Sequence, residues 1–413
     1  MRIRPALLLT MAATLALVPQ TTAAAVASVV ASVAAAVVDT ACSGTSDFDG
    51  DGVDDVAVGD PFGNGQKGAV HVLSGDKVVP VVGPESAAGD AFGWSVALTR
   101  VNGDACADLV VGAPYADVNG VTDAGAVYVL YGGGAAPPQR LTAPEPQRDA
   151  HFGWSLAARG DLLAIGAPYE DEAQLADAGS VYVRKGEGRL RRISQDSAGV
   201  PGNGEVGDQF GWSLALAEGD GLVVGVPYEN DDGAGRQVGV GKVDSGSITL
   251  IRDVLAPRLT AVKADSPSRS SGDRYGYAVA YANGTVAASA PGAGYVQLLD
   301  QNLRPGRTIR PDAKEAFGFS LAASSDGRLA IGSPYGGGVR VVSLRNPDDD
   351  RKVPSGEGLF GWSVAFSGNR LYVGQPDAPP YGRVSSAGRN AGDLRPLAPP
   401  KGADFGAALA GGS

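Results

Sequence analysis

Apolar positions in this chain fall into short runs, and an aromatic-glycine pair opens many of them. The pairs are Phe92-Gly93, Phe152-Gly153, Phe210-Gly211, Tyr275-Gly276, Phe317-Gly318, Phe360-Gly361 and Phe405-Gly406. Each starts a run such as FGWSVAL or FGWSLAA. After all but the last, a turn leads to a second run that ends at a proline. The endings are Gly112-Ala113-Pro114, Gly166-Ala167-Pro168, Gly225-Val226-Pro227, Ser289-Ala290-Pro291, Gly332-Ser333-Pro334 and Gly374-Gln375-Pro376. A third run follows, as in GAVYVLYG from Gly125, and then a weaker fourth, as in Leu141-Thr142-Ala143. Short runs punctuated by Gly and Pro predict strands and tight turns.

Four strands per repeat predict a propeller blade. One such sheet cannot cover both of its faces, so blades must pack against each other and the ring must close. The first unit, from Asp47 to Pro84, has a second strand (Val56 to Pro61) and a third (Gly68 to Leu73) but no aromatic-Gly strand before them. The last unit, Asp404 to Ala410, is an aromatic-Gly strand with nothing after it. Joined, they make one blade, and closure hides the edges that an open array would expose. The expected fold is therefore all-β: a seven-bladed β-propeller with four-stranded blades, its ring closed by the C-terminal strand completing blade 1. The aromatic-Gly strand should be innermost, where Gly lets backbones approach and the aromatic fills space between blades. Pro ends the second strand because it cannot donate to the ladder.

These residues resemble the FG-GAP repeat family, best known from the head of integrin α subunits. The resemblance runs from Asp47 to Ala410. It implies a β-propeller with calcium-binding hairpin loops, and ligand contacts from upper-face loops of the early blades. It also implies a ring of aromatics around the axial opening. Trp94, Trp154, Trp212 and Trp362 share one repeat position, filled by Tyr277 and Phe319 in blades five and six and by Ala407 in blade one. Packing around the axis and stacking on a saccharide are both open to these rings.

The first repeat carries Asp47-Phe48-Asp49-Gly50-Asp51-Gly52-Val53-Asp54-Asp55. Carboxylates at loop positions 1, 3, 5 and 9, with a backbone carbonyl at 7, suit a hard oxygen-liganded cation. The expected calcium ligands are Asp47, Asp49, Asp51, the carbonyl of Val53, and Asp55. Position 12 is Val58 rather than Glu, so the loop is no EF-hand. The alternative is a solvated acidic turn, which mutual repulsion disfavours. The second repeat holds a broken copy in which Asn102, Asp104 and Asp108 match, but Arg100 stands at position 1. The three matching residues make a weak second metal loop, and the alternative to calcium there is that the Arg100 guanidinium replaces the ion and pairs with Asp104 or Asp108.

Composition changes the picture little, except for charge. Apolar residues make up 44% of the 413-residue chain, charged residues only 19%, and Gly numbers 61 and Pro 27. The formal net charge of −11 disfavours nucleic acid and anionic membranes as partners. Met1 to Arg4 is basic, Ala6 to Val18 is apolar, and small residues follow from Thr22 to Ala25. That order predicts a signal peptide over 1–25, a lead over 26–46 and the propeller over 47–413. Cleavage would remove Arg2 and Arg4, leaving a charge of about −13. An uncleaved anchor is the alternative, whereas Asp39 argues against a lipobox at Cys42. In an exported chain, Cys42 and Cys106 suggest a disulfide, since both lie beside equivalent loops of neighbouring repeats. Two unpaired residues remain the other reading. The Ala-, Gly- and Arg-rich composition suits a secreted bacterial protein.

The connection between second and third strands is short in repeats five to seven and long and acidic in repeats two to four. Repeat two offers Tyr115, Asp117 and Asp123. Repeat three offers Tyr169, Glu170, Asp171 and Asp177. Repeat four offers Tyr228, Glu229, Asp231 and Asp232. Strand connections alternate ends, so this acidic rim should lie opposite the calcium hairpins. A merely solvated rim is the bland alternative. Arg159-Gly160-Asp161 reads as a turn rather than an adhesion motif, and so does Asn283-Gly284-Thr285 rather than a glycan acceptor. His71 and His151 lack a nucleophile partner in any recognisable motif, and no GxSxG elbow, P-loop or zinc cluster appears. The expectation is a non-enzymatic, monomeric extracellular recognition or adhesion module for a protein or glycan, with Ca²⁺ as its cofactor. The alternative is a secreted hydrolase or lyase using the rim carboxylates.

Overall fold

The computed structural model describes residues 42–412, apart from Asp76, Val82, 84–85, Ala135, 231–240, 312–316, Gly337, 354–355, 389–394 and 398–401. The expected signal peptide, the lead up to residue 41, and Asp231 and Asp232 lie outside the described residues. The rest folds into seven four-stranded antiparallel sheets, the blades of a β-propeller. Blade 2 is typical, with strands Ser95–Thr99, Asp108–Ala113, Ala126–Leu130 and Gln139–Leu141 in sequence order. Its second strand is buried at every residue because both sheet faces are covered by neighbouring blades. That double cover is why second strands read as unbroken apolar runs rather than alternating ones.

Blade 1 departs from sequence order as the sequence requires. Ala408–Gly411 pairs with Val56–Asp60, with Gly59 opposite Ala408 and Val56 opposite Gly411. The strands that begin just after each aromatic-Gly pair adjoin one another around the axis. They are therefore the innermost strands, as expected.

The repeat motif is the chemistry of the seam between blades. Gly153 adopts φ +96°, and its carbonyl faces Gly112 of the preceding blade. A Cβ on Gly112 would stand 2.2 Å from that oxygen, so no side chain fits. The same back-to-back glycines meet at Gly166 with Gly211 and at Gly374 with Gly406. The Ser after the Trp completes the seam: Ser95 Oγ donates to Gly153 O at 2.7 Å, and Ser155 Oγ donates to Gly211 O at 2.7 Å. Blade 5 has Ser289 where the others have Gly, and there the Ala278 N–H donates to the Ser289 hydroxyl at 2.9 Å. The aromatics wedge between sheets. Phe92 packs with Val70 and Val72 of blade 1 and meets the Tyr128 ring of its own blade edge-on at 5.5 Å. Full burial of such a ring contributes about 2–3 kcal/mol.

Candidate functional site

The first-blade acidic loop winds on itself through its own amides. Asp47 Oδ1 accepts from Gly50 N–H at 2.8 Å, and its Oδ2 accepts from Ser43 and Gly52. Asp49 Oδ1 accepts from Asp51 N–H, and Asp51 Oδ1 accepts from Val53 N–H. Asp55 Oδ2 accepts from Phe48 and Asp49. These turns bring one carboxylate oxygen each from Asp47, Asp49 and Asp55 within 4.8 Å of one another. Asp47 and Asp55 are buried, and Asp55 Oδ1 has no hydrogen-bond partner. Burial, with the Asp49 charge nearby, pushes the Asp55 carboxyl up to about 6. A buried acceptor without a partner, facing other carboxylates, is costly unless a cation meets it. The donor set is all oxygen, so these residues fit a hard divalent cation. Sequence reasoning missed Ser74, the last residue of strand Ala69–Ser74. Its buried hydroxyl donates to Asp51 Oδ2 at 2.7 Å. The available signal was a polar residue ending an otherwise apolar strand.

The second loop is closed by its own amides. Asp104 Oδ1 accepts from Cys106 N–H, and its Oδ2 accepts from Asn102 Nδ2 at 2.6 Å. Asp108 accepts from Asn102 N–H and from Gly132 N–H. Arg100 corrects the expectation. Its guanidinium does not pair with Asp104 or Asp108 but donates to two carbonyls, Ala105 O at 3.1 Å and Gly44 O. The amides already occupy the carboxylates, which leaves the guanidinium to bridge towards blade 1. Cys42 and Cys106 are disulfide-bonded, with Cα atoms 5.0 Å apart.

The opposite face carries the rim. In blade 2, Asp117 Oδ1 accepts from Asp123 N–H at 3.1 Å, and in blade 3 Asp171 Oδ1 accepts from Asp177 N–H at 3.1 Å. Asp117 and Asp171 are exposed, and Asp123 and Asp177 are half-buried. Burial pushes both Asp123 and Asp177 up from the usual carboxylate range. Glu170 and Glu229 correct the expectation, because both lie beneath the rim. Glu170 is 1% exposed, accepts from Tyr182 Oη at 2.8 Å and pairs with Arg192. Glu229 accepts from Gln195 Nε2 at 2.7 Å and from Lys263 Nζ at 2.8 Å. A carboxylate that far from water persists only with such partners. Beside it, burial and then Glu229 push Asp208 up to about 8.

Inside the rim stands an aromatic crown. Ring centroids follow one another from Trp94 to Trp154 (4.8 Å), Trp212 (5.0 Å), Tyr277 (5.5 Å), Phe319 (5.4 Å) and Trp362 (4.6 Å). All six are half-buried. Ala407 leaves the seventh place without a ring. Tyr115, Tyr169 and Tyr228 stand edge-on behind Trp94, Trp154 and Trp212 at 5.3–5.6 Å. His151, set aside on sequence grounds, fits between Tyr115 (4.6 Å) and Tyr169 (5.0 Å), near the charges of Asp123 and Asp177. Its place just before the Phe152 pair was the only sequence signal.

At the axis, the inner strands line a channel of about 400 Å³ with small apolar side chains, including Ala157, Leu214, Ala280 and Ala322. Arg159 lines it too, but Gly160 O accepts from Thr99 Oγ1 at 2.6 Å and Asp161 lies 3.9 Å from Lys185. The tripeptide is a turn in the fold. Asn283 Nδ2 likewise donates to Ser325 O at 3.0 Å.

Fold and repeat chemistry together define an integrin-α-like β-propeller with glycine seams. Its repeats are similar to those of the FG-GAP repeat family. FG-GAP repeat models match residues 43–73, 92–130 and 138–184. Integrin alpha-PS2 of Drosophila melanogaster is 35% identical over 170 residues, covering 37% of this chain and 12% of that protein. Phosphatidylinositol-glycan-specific phospholipase D of Rattus norvegicus is 31% identical over 198 residues, covering 43% of this chain and 23% of that protein. The match thus spans less than a quarter of either relative. Among solved structures, virginiamycin B lyase from Staphylococcus aureus shares the fold with a TM-score of 0.51 at 9% identity, over 74% of this chain and 84% of that one.

Proposed function

We propose that this chain is an exported recognition module, braced by calcium at the first-blade loop, that binds an extracellular protein or glycan on its crown face. The carrying observation is the crown: six half-buried rings in one arc, backed by three tyrosines and edged by exposed acids. Ring faces attract cations and polarised C–H groups, and Asp117, Asp123, Asp171 and Asp177 add negative potential at the edge. A ligand with basic groups beside planar or apolar surface suits that combination. Export is supported by the disulfide and by the basic-apolar order of the first residues. Among the described residues, no helix is long and apolar enough to cross a membrane.

The hydrolase or lyase reading rests on rim carboxylates, two of which, Glu170 and Glu229, are held in ion pairs under the surface. We therefore favour binding. The test is capture of extracellular proteins and glycans by the wild-type chain and by Trp154→Ala and Asp123→Asn/Asp177→Asn variants. Loss of capture in both variants supports the reading. Undiminished capture moves the site elsewhere. Turnover of a captured glycan or ester, abolished by Asp123→Asn/Asp177→Asn, would favour the enzyme. For the metal, calorimetric titration of Asp49→Ala/Asp51→Ala is decisive, because calcium uptake equal to wild type removes the site.

A further inference from the structure

The first-blade acidic loop is not supported by its own blade alone. Four links tie it to blade 2, three to the loop from Arg100 to Asp108 and one to Gly133, which follows strand Ala126–Leu130. Ala107 N–H donates to Asp47 O at 2.8 Å, and Gly133 N–H donates to Phe48 O at 3.0 Å. Cys42 is disulfide-bonded to Cys106, and Arg100 Nη2 donates to Gly44 O. Each link lands within a few residues of a carboxylate. The two amide bonds hold Asp47 and Phe48, the pair that opens the loop. The disulfide and the guanidinium hold Cys42 and Gly44, on either side of Ser43. Ser43 in turn donates its N–H to Asp47 Oδ2 at 2.8 Å and its hydroxyl to Gly52 O at 3.0 Å.

The supporting loop is held by its own hydrogen bonds: its carboxylates accept from N–H donors of Asn102, Cys106 and Gly132. The approach is close enough to exclude a side chain at Gly132. A Cβ there would stand 2.1 Å from Ala107 O and 3.0 Å from Phe48 O. Phe48 also packs into the apolar cluster that contains Ala107 and Leu109 of blade 2.

We infer that the second-repeat loop of blade 2 is a preformed brace for the acidic loop of blade 1, with the Cys42–Cys106 bond and Arg100 as the residues that set its calcium affinity. The three converging carboxylates of Asp47, Asp49 and Asp55 repel one another when no cation is present, and an unsupported loop would open. A brace that holds the ligand geometry beforehand removes ordering cost from the binding step and so tightens it. Binding linkage is reciprocal, so calcium must also protect the bond that protects it. The inference rests on the calcium reading of the acidic loop. Arg100 acts through Gly44 and touches no ligand, so it is a positioning residue.

The test is calcium titration of the full chain in four forms: oxidised wild type, wild type reduced with a phosphine, Cys42→Ser/Cys106→Ser, and Arg100→Ala. Tryptophan circular dichroism confirms that the blades remain assembled. The expected result is a Kd weakened about tenfold in the reduced and double-Ser proteins, and severalfold in Arg100→Ala. The equilibrium between disulfide and dithiol in a dithiothreitol redox buffer should shift towards the disulfide in calcium by the same factor. Reduced wild type carries the result if the double-Ser protein does not fold. Equal Kd in all four forms, with wild type binding, overturns the brace and leaves the calcium reading standing. An oxidised wild type that takes up no calcium at millimolar concentration overturns the calcium reading, and the brace with it.

Discussion

The carboxylate of Asp60 accepts the backbone N–H of Asp404, 344 positions later in the chain, at 2.9 Å. The same carboxylate accepts from Ala403 at 3.1 Å, and Asp60 is fully buried. His71 lies 3.7 Å from it and meets the Phe405 ring edge-on at 5.0 Å. The ring is thus locked by one side chain from its first blade onto the start of its last strand.

Removing that lock should open the ring. Asp60→Ala leaves two amides without their acceptor and should destabilise the fold by about 2–4 kcal/mol, read as a lowered midpoint in urea. Truncation before Asp404 should be worse, because it uncovers Val56 and Val58, which are fully buried beside Phe405 and Leu409. A truncated chain that melts like wild type would mean the last strand is dispensable.

The seam glycines should tolerate nothing larger. Gly112→Ala drives a methyl to 2.2 Å from Gly153 O, and a shift of two blades is needed to relieve it. The expected cost is about 3 kcal/mol. Gly388→Ala, where no atom lies within 4 Å, should stay within about 0.5 kcal/mol. Equal melting of the two variants would remove the seam argument.

Stability should fall with rising pH through the Asp208 range. Burial raises this carboxyl to about 8, and Glu229, Glu205 and Lys263 are the charged groups around it. A raised carboxyl favours folding while it stays protonated. That contribution is complete below its unfolded value, near 4, and is lost as pH climbs through about 8. Asp208→Asn keeps an acceptor for Glu205 N–H and should flatten the melting temperature between pH 6 and 9. An unchanged slope would place the titration on another group.

All four tryptophans stand in the crown. Ligand binding at that face should therefore change intrinsic fluorescence. Calcium, on the opposite face, should leave it nearly constant. A captured ligand that leaves the emission untouched binds somewhere else.

Much of this was readable in the residues. The strand pattern recurs along the chain as one local motif, and local patterns survive without knowledge of distant contacts, while closure followed from the two incomplete units at its ends. Phe92-Gly93 signals a close approach of backbones before its partner is known, whereas Gly112-Ala113-Pro114 reads only as a strand end, and its place in the seam came from the structure. The oxygen-rich loop was equally plain, because its residues are contiguous.

What the sequence determined by itself was repetition: which stretches are strands, where each blade begins, and that Asp404 to Ala410 must return to Val56. What only the tertiary structure decided was the fate of long polar side chains. Glu170 and Glu229 read as surface acids, yet Arg192 and Lys263 draw them under the rim. Arg100 was expected on its own loop's carboxylates, yet it reaches the Gly44 carbonyl beside the first-blade loop. Ser74 joined the acidic loop, and His151 joined the crown. These outcomes depend on which chains face each other across a seam, and a buried charge settles on whichever partner packing brings within reach.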